Sequence, residues 1–258
     1  MKKVLSLVLA LCATGAVAQT APDDSIAGAR RDGVLRVCVA ESQPFTVKAP
    51  DGKWEGMNID LANELAAAMS ARLQIVDVTY ATMIPALVGR QCSIIMAPAF
   101  ATAERALSVV FTNVYNATGE VAVVRRNSSF QTAADLDRAN VTFAVLSGTT
   151  NERTAKTMFP KAQVRSFATD TQVAPLLEVA NGRADANVGD LNSVNRFISA
   201  NPNVALRILD EGKPLNRSLR AFMVRPGDWH FLAFVNTWIS GLQNNGRMDA
   251  LAAKYGVQ

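Results

Sequence analysis

A short stretch around one arginine offers the clearest chemistry in this sequence. The apolar run at residues 93–97 is too short for a helix and contains two adjacent isoleucines, which favours a buried strand. Thr102 follows as a helix N-cap, with Glu104 and Arg105 in the first turn. Unpaired N–H groups at a helix start attract anions, and a planar guanidinium suits a carboxylate. The stretch therefore predicts an anion site at Arg105.

The second half of the chain carries two complementary features. Ser147-Gly148-Thr149-Thr150 follows a predicted strand, and Thr149 with Glu152 forms a capping box that opens a helix. Asp190 stands at the end of another predicted strand. Arg105 and the N–H groups of Thr149 and Thr150 are expected to hold a carboxylate, and Asp190 to hold an ammonium. Together they predict a receptor for a zwitterion such as an α-amino acid.

Each of these residues also has an ordinary structural explanation, as a surface arginine, a strand-end turn or a capped helix. Only their order and their repetition in two halves favour a site. The single histidine, His230, lies in a predicted C-terminal helix, and we find no Cys/His metal spacing and no Walker-type loop. We expect no enzyme activity and no cofactor, with acid–base chemistry by one Asp or Glu in the cleft as the alternative.

The elements that must position these residues alternate between strand and helix. Strands are predicted at 34–40, 73–78 and 92–97, separated by helices at 57–69 and 83–88. This order is typical of a parallel α/β sheet, whose ligands bind beyond the carboxyl ends of the strands. The loops after the three strands are expected to meet there.

The same pattern recurs in the second half, with strands at 141–146, 164–167 and 184–190. The helix at 173–180 is predicted to be capped by Asp170. A further strand is predicted at 204–209, and two helices, broken near Asn245-Gly246, at the C-terminal end.

We therefore predict two similar lobes joined by two extended crossings. Lobe 1 comprises residues 27–119 and 221–258, and lobe 2 comprises 120–220, with crossings near 119–124 and 219–224. A hinged pair of lobes places the ligand in the cleft between them.

The N-terminal residues predict export. Residues 1–18 combine a basic start, an apolar run through Cys12 and a small-residue Ala16-Val17-Ala18 site, as a cleavable signal peptide does. No later apolar run approaches the length of about 18 residues that spans a membrane. Lys2 and Lys3 supply two of the formal net charge of +4. Since no Lys/Arg cluster interleaves with aromatics, nucleic acid is not a predicted partner.

Two cysteines remain after the signal peptide, Cys38 and Cys92. Both lie at predicted strands, and an exported protein meets conditions in which disulfides persist. They pair if their strands are neighbours, and otherwise they are buried free thiols; the sequence leaves both possibilities open.

Several short motifs follow one another in a characteristic order along the chain, roughly from Val34 to Gly256. They are Gly33-Val34-Leu35-Arg36-Val37, Pro44-Phe45, Gly56-Met57-Asn58-Ile59-Asp60-Leu61, Ile84-Pro85-Ala86-Leu87-Val88-Gly89, Thr102-Ala103-Glu104-Arg105, Phe111-Thr112-Asn113-Val114-Tyr115, Ser147-Gly148-Thr149-Thr150, Gly182-Arg183-Ala184-Asp185-Ala186 and Gly189-Asp190. In this order they resemble the periplasmic amino-acid-type solute-binding proteins of ABC transporters.

The resemblance implies a periplasmic-binding-protein-like fold of type II, with two doubly wound α/β lobes joined by two crossing strands. It implies a monomer that closes on an amino acid and delivers it to a membrane permease. In that pattern Arg105 holds the α-carboxylate with Thr150, and Asp190 holds the α-ammonium. Tyr80 packs on the ligand side chain, and Ser42 forms part of the pocket wall.

Some residues depart from the family pattern. Pro98 and Phe100 stand where the family usually has glycine and a Ser or Thr that helps to hold the ammonium. The ligand is then either an unusual amino acid or a carboxylate that lacks the ammonium. A few relatives with this fold are periplasmic cyclohexadienyl dehydratases, which is the alternative function. A sensor that presents its ligand to a membrane receptor is another.

Overall fold

The protein is described by a computed structural model that covers residues 24–169 and 171–257. The predicted signal peptide and Asp170 lie outside the described residues. Within them, none of the helices combines the length and the apolar character needed to cross a bilayer.

The first half of the chain alternates between strands and helices as predicted. Its elements are α1 (Ser25–Asp32), β1 (Val34–Val39), β2 (Val47–Lys48), β3 (Trp54–Glu55), α2 (Met57–Ala68), β4 (Arg72–Asp77), α3 (Met83–Val88), β5 (Ile94–Ile95), α4 (Ala103–Ala106) and β6 (Val110–Arg125). Strand β5 is shorter than predicted because the chain turns before Pro98, where the Ala99 N–H donates to the Ala97 carbonyl (2.7 Å).

The second half repeats the alternation. Its elements are a 3₁₀ turn (Ala133–Leu136), β7 (Thr142–Leu146), α5 (Thr150–Met158), β8 (Gln163–Phe167), α6 (Val173–Ala180), β9 (Ala186–Asp190), α7 (Leu191–Ala200), β10 (Leu206–Ile208), a 3₁₀ turn (Asp210–Gly212), β11 (Asn216–Val224), α8 (Trp229–Asn244) and α9 (Arg247–Tyr255). Helix α7 was not predicted from the sequence, because Asp190 was interpreted only as the end of a strand. Asp190 is also the N-cap of α7, and its Oδ1 accepts the Ser193 N–H (3.0 Å).

The strands form one sheet in the order β4-β1-β5-β11-β6-β9-β7-β8, with β10 paired to β6. Strand β1 lies parallel to β4 and β5 in one half, and β7 lies parallel to β8 and β9 in the other. Between them β11 and β6 run antiparallel to each other and to their outer neighbours. Each half therefore places its first strand at the centre and its next two strands on either side.

This topology confirms the predicted fold of two α/β lobes joined by two crossing strands. We call the β4-β1-β5 half lobe 1 and the β9-β7-β8 half lobe 2. The predicted crossings near 119–124 and 219–224 fall within β6 and β11. The division into residues 27–119 with 221–258, and 120–220, stays a prediction.

The inner strands β1, β5, β7 and β9 are largely buried on both faces, which explains their apolar runs, whereas the edge strands β4 and β8 alternate with exposed residues. In lobe 1, Leu35 and Phe222 belong to the core that α2 and α8 cover, and Cys38 and Met83 to a core on α3. Lobe 2 has two separate cores of its own. A stable core in each lobe allows the lobes to move without unfolding.

The two cysteines are joined. Cys38 in β1 and Cys92 before β5 form a disulfide with Cα atoms 5.6 Å apart. Of the two possibilities left open by the sequence, the structure selects the bridge, because β1 and β5 are neighbouring parallel strands. The bridge closes a loop with a sequence separation of 54 residues inside lobe 1.

Replacing both Cys38 and Cys92 by Ala is expected to lower the free energy of unfolding by about 2–4 kcal/mol, because the bridge restricts the unfolded chain. Urea denaturation of the oxidised parent and of the double variant measures the difference. The control is reductant, which should destabilise the parent and leave the variant unchanged; equal midpoints for parent and variant would contradict the prediction.

Candidate functional site

The carboxyl ends of the parallel strands of both lobes meet at one cavity. All eight residues predicted for the site line it: Ser42, Tyr80, Pro98, Phe100, Arg105, Thr149, Thr150 and Asp190. Four further residues complete its wall and were not predicted: Ala99, Asn151, Gln172 and Arg220. The structure thus brings the predicted residues together, and their roles in binding stay predictions.

The cavity is narrow. Its volume is about 10 Å³, which accommodates roughly one water molecule. A second cavity of about 30 Å³ in lobe 2 shares Ser42 and Asp190 with it and extends toward Leu176, Val194 and Phe197. The lobes are therefore closed around Asp190, although a wider cavity of about 600 Å³ lies between them beside Tyr80, Arg105 and Thr150.

Contacts between side chains and backbone of opposite lobes hold this closed arrangement. The Arg105 Nη2 of lobe 1 donates to the Gly148 carbonyl of lobe 2 (3.1 Å). Ser193 Oγ donates to the Gln43 carbonyl (2.7 Å), and it lies 3.3 Å from Ser42 Oγ. At the rim, Arg153 pairs with Glu104 (3.0 Å). The lobes therefore meet through hydrogen bonds and one exposed ion pair.

Arg105 supplies a positive charge at the cavity wall. The Thr102 hydroxyl accepts the Arg105 N–H (3.2 Å), which confirms the predicted N-cap. Helix α4 has only four residues, so few peptide dipoles add up there and the guanidinium itself carries the charge. Its Nη1 donates to the Phe100 carbonyl (2.9 Å). Burial lowers the pKa of Arg105, yet an arginine stays charged at neutral pH.

Helix α5 presents its first turn to the same cavity. Thr149 Oγ1 accepts the Glu152 N–H (3.3 Å) as predicted, whereas the Glu152 carboxylate returns to the Gly148 N–H (2.9 Å). The N–H groups of Thr149 and Thr150 lie ahead of the helical hydrogen-bond ladder and have no partner within it. They are the backbone donors that the sequence predicted for a carboxylate.

A buried carboxylate behind the wall fixes Thr150. Glu120 of β6 is fully buried and accepts hydrogen bonds from the Thr150 and Thr154 hydroxyls (2.7 and 2.5 Å) and from the Asn216 amide (2.7 Å). It thereby ties the start of α5 to both crossing strands. The Thr150 hydroxyl is used by the protein, which leaves its N–H for a ligand.

Asp190 is already paired with a cation. Its Oδ2 accepts from Nη2 of Arg220 (2.5 Å), and the side chains of both residues are buried. Its Oδ1 accepts from the N–H and the hydroxyl of Ser193 (3.0 and 3.2 Å). From the sequence, Asp190 was expected to be available for a ligand ammonium. In the structure its carboxylate is instead bound by Arg220.

Arg220 lies on β11, at the point where this strand enters lobe 1. Its guanidinium stands 4.2 Å from the Phe45 ring centroid and 5.4 Å from that of Phe100, within the range of cation–π contacts. Its Nη1 donates to Asn116 Oδ1 of β6 (2.5 Å). A charged residue directly before the apolar run 221–224 was a visible signal, but its partners come from distant parts of the chain.

Tyr80 directs an unsatisfied hydroxyl at the site. The residue is buried, and among the described residues no group lies in hydrogen-bonding geometry to its hydroxyl. Burial raises the pKa of Tyr80 to about 12, although nearby Ser42, Arg220 and Arg105 favour the phenolate. The hydroxyl is therefore protonated at neutral pH and available as a donor.

Comparisons with known proteins agree with the two-lobed fold. Residues 35–258 match the profile described as bacterial extracellular solute-binding proteins, family 3. The chain is 29% identical over 218 residues to an L-arginine-binding protein of Pseudomonas aeruginosa, which covers 82% of this chain and 83% of that protein. It is 24% identical over 217 residues to a cyclohexadienyl dehydratase of the same organism, at 83% and 79% coverage.

The fold is also similar to solved structures. A mutant of ArgBP from T. maritima superposes with a TM-score of 0.82 at 32% identity, over 90% of this chain and 98% of that chain. The two-lobed architecture is therefore shared with amino-acid-binding relatives.

Replacing Tyr80 by Phe is expected to leave the free energy of unfolding equal or to raise it by up to about 1 kcal/mol, because a buried hydroxyl without a partner is removed. The matched control is Tyr115→Phe, since the Tyr115 hydroxyl accepts from the Asn58 amide (3.0 Å) and should cost about 1 kcal/mol. Urea denaturation without added solute measures both. If Tyr80→Phe lowered the free energy of unfolding as much as Tyr115→Phe does, the Tyr80 hydroxyl would have a hydrogen-bond partner after all.

Replacing Gly148 by Ala is expected to weaken closure, because its Cβ would stand 2.8 Å from Ala81 Cα of lobe 1 and its φ is +76°. Small-angle scattering should show a larger radius of gyration than for the parent. Gly52→Ala is the control, since Gly52 has φ +83° with nothing within 4 Å. The same radius for parent and Gly148→Ala would argue against a closed interface at this residue.

Proposed function

The chain belongs to the bacterial extracellular solute-binding proteins of family 3, and from this premise we propose that it captures a small carboxylate solute, an amino acid or a related compound, in the cleft between its lobes. One observation carries the proposal: Arg105, the first turn of α5 and the Tyr80 hydroxyl converge on a single interlobe cavity. All three supply donors, and no other predicted feature of the sequence gathers donors in this way.

The donors suit a carboxylate. A guanidinium binds a carboxylate through parallel hydrogen bonds, and backbone N–H groups at the start of α5 add two more donors. Closing the lobes removes water and strengthens each of these contacts. The second cavity, toward Leu176, Val194 and Phe197, offers apolar surface for the remainder of the solute.

We propose that the solute is delivered to an ABC transporter permease; the family match and the amino-acid-binding relatives support this step. The predicted signal peptide supports a periplasmic location, and two lobes that enclose the ligand within one chain support a monomer. A sensor would present the same ligand-bound protein to a membrane receptor instead of a permease. Sensing therefore rests on the same binding site as transport.

An enzymatic function is the second candidate, because one relative is a cyclohexadienyl dehydratase and the cavity has aromatic residues in Tyr80 and Phe100. The carboxylate that lines the cavity, Asp190, is engaged by Arg220. Binding without turnover is therefore the stronger proposal.

The test is thermal unfolding of the protein with a panel of amino acids and small carboxylates. A solute at 100 times its dissociation constant should add about 2.7 kcal/mol of stability. Arg105→Ala is expected to weaken binding of that solute by about 2–5 kcal/mol, because the contact is charged and largely buried. Isothermal calorimetry measures the dissociation constants.

Arg138→Ala is the matched control, since Arg138 makes an exposed ion pair with Asp135 far from the cleft. If Arg105→Ala bound the solute as tightly as Arg138→Ala does, the anchor would be misassigned. Loss of the solute on incubation, followed by chromatography, would favour the dehydratase.

A further inference from the structure

The charges in the cleft narrow the class of solute beyond the proposed function, on which this inference rests. We infer that the preferred solute is a carboxylate without an α-ammonium group, such as a 2-hydroxy, 2-oxo or unsubstituted acid. The reason is that Arg220 already forms an ion pair with Asp190, the carboxylate that a ligand ammonium would need.

Both oxygens of Asp190 are engaged within the protein. One accepts from Arg220 and the other from Ser193. An ammonium that approached Asp190 would meet the positive guanidinium of Arg220 at the same carboxylate. Like charges placed together in a buried site repel strongly.

Arg220 is fixed in this position. Only 1% of its surface is exposed, its Nη1 is bound by Asn116, and the Phe45 and Phe100 rings flank it. Moving it aside for an ammonium would leave a buried guanidinium without its carboxylate, which is strongly unfavourable. Phe100 lines the cavity with an apolar ring, and its carbonyl already accepts from Arg105, so it offers an ammonium no free acceptor.

Among the described residues, the other carboxylates near the cavity are engaged within the protein or lie outside it. Glu104 and Glu152 line the wider neighbouring cavity, where they pair with Arg153 and Lys156. Glu120 is fully buried behind Thr150, where three neutral donors bind it, and it does not line the cavity. Glu41 lines the second cavity rather than this one. Of the side chains that line the cavity, Arg105 and Arg220 are positive and only Asp190 is negative.

One unsatisfied group of the cavity can only donate, and the other, a hydroxyl, can donate as well as accept. Arg220 Nε and the Tyr80 hydroxyl are both buried without a hydrogen-bond partner among the described residues. The Nε of arginine can only donate, and an ammonium can only donate as well. A hydroxy, oxo or carboxylate oxygen accepts, and is therefore the complementary group.

Matched solutes test the inference directly. Calorimetry compares alanine with lactate, pyruvate and propionate, phenylalanine with 3-phenyllactate, and glutamate with 2-hydroxyglutarate and glutarate. In whichever series binds, the acid without the ammonium should bind at least about tenfold tighter than the amino acid. An amino acid that binds as tightly as its partners, or tighter, overturns the inference.

Arg220→Met should reverse the preference, because it frees Asp190 for an ammonium. Arg220→Lys, which keeps a positive charge, should retain it. If Arg220→Met leaves the ratio of the amino-acid dissociation constant to that of the matched acid unchanged, the inference is overturned. If that variant does not fold, the same ratio in the parent decides. An amino acid that binds at least as tightly as its partners, through Arg105, would overturn this inference and leave the proposed function intact. No binding across the panel would overturn both.

Discussion

The ion pair between Asp190 and Arg220 is the interaction on which the arrangement of the cleft depends. Removing two charges from water is costly, and the cost is recovered only while the charges stay paired and hydrogen-bonded. Here Ser193 and Asn116 complete the pair, and the aromatic ring of Phe45 covers it. The pair connects the end of β9 to a crossing strand, so the geometry of lobe 2 at the cleft is tied to that of the hinge. It also leaves Arg105 as the charge available to a solute.

The repeated strand order explains why the cleft can exist at all. Because the three strands of each lobe are parallel, their carboxyl ends lie at one edge of the sheet. Tyr80 and Arg105 come from such ends in lobe 1, and Thr149 and Asp190 come from lobe 2. Glu120 secures the start of α5 to both crossings, so the donors of lobe 2 are fixed relative to the crossing strands.

The relatives share the scaffold, and a few side chains distinguish this chain. Identities near 30% are compatible with the same two lobes, because the cores tolerate exchange of apolar residues of similar volume. Recognition depends on individual side chains at the cleft, and in this chain the Arg220 guanidinium neutralises the carboxylate of Asp190. We therefore attribute the ligand class to Arg220 and Phe100, and the fold to the apolar strands and helices.

The sequence by itself determined the alternation of strands and helices, the two lobes, the crossings and the eight residues that line the cavity. The elements, Arg105, Thr149, Thr150 and Asp190 follow from local signals, namely hydrophobic period, helix caps and the rule that functional loops follow parallel strands. Ser42, Tyr80, Pro98 and Phe100 were predicted from the family resemblance. Only the tertiary structure decided that Cys38 bonds to Cys92, that α7 follows Asp190 directly, and that Arg220 pairs with Asp190. Arg220 and Asp190 are far apart in the chain, and no local pattern encodes which buried charges meet. Their pairing depends on strand order and register, which arise from packing of the whole domain.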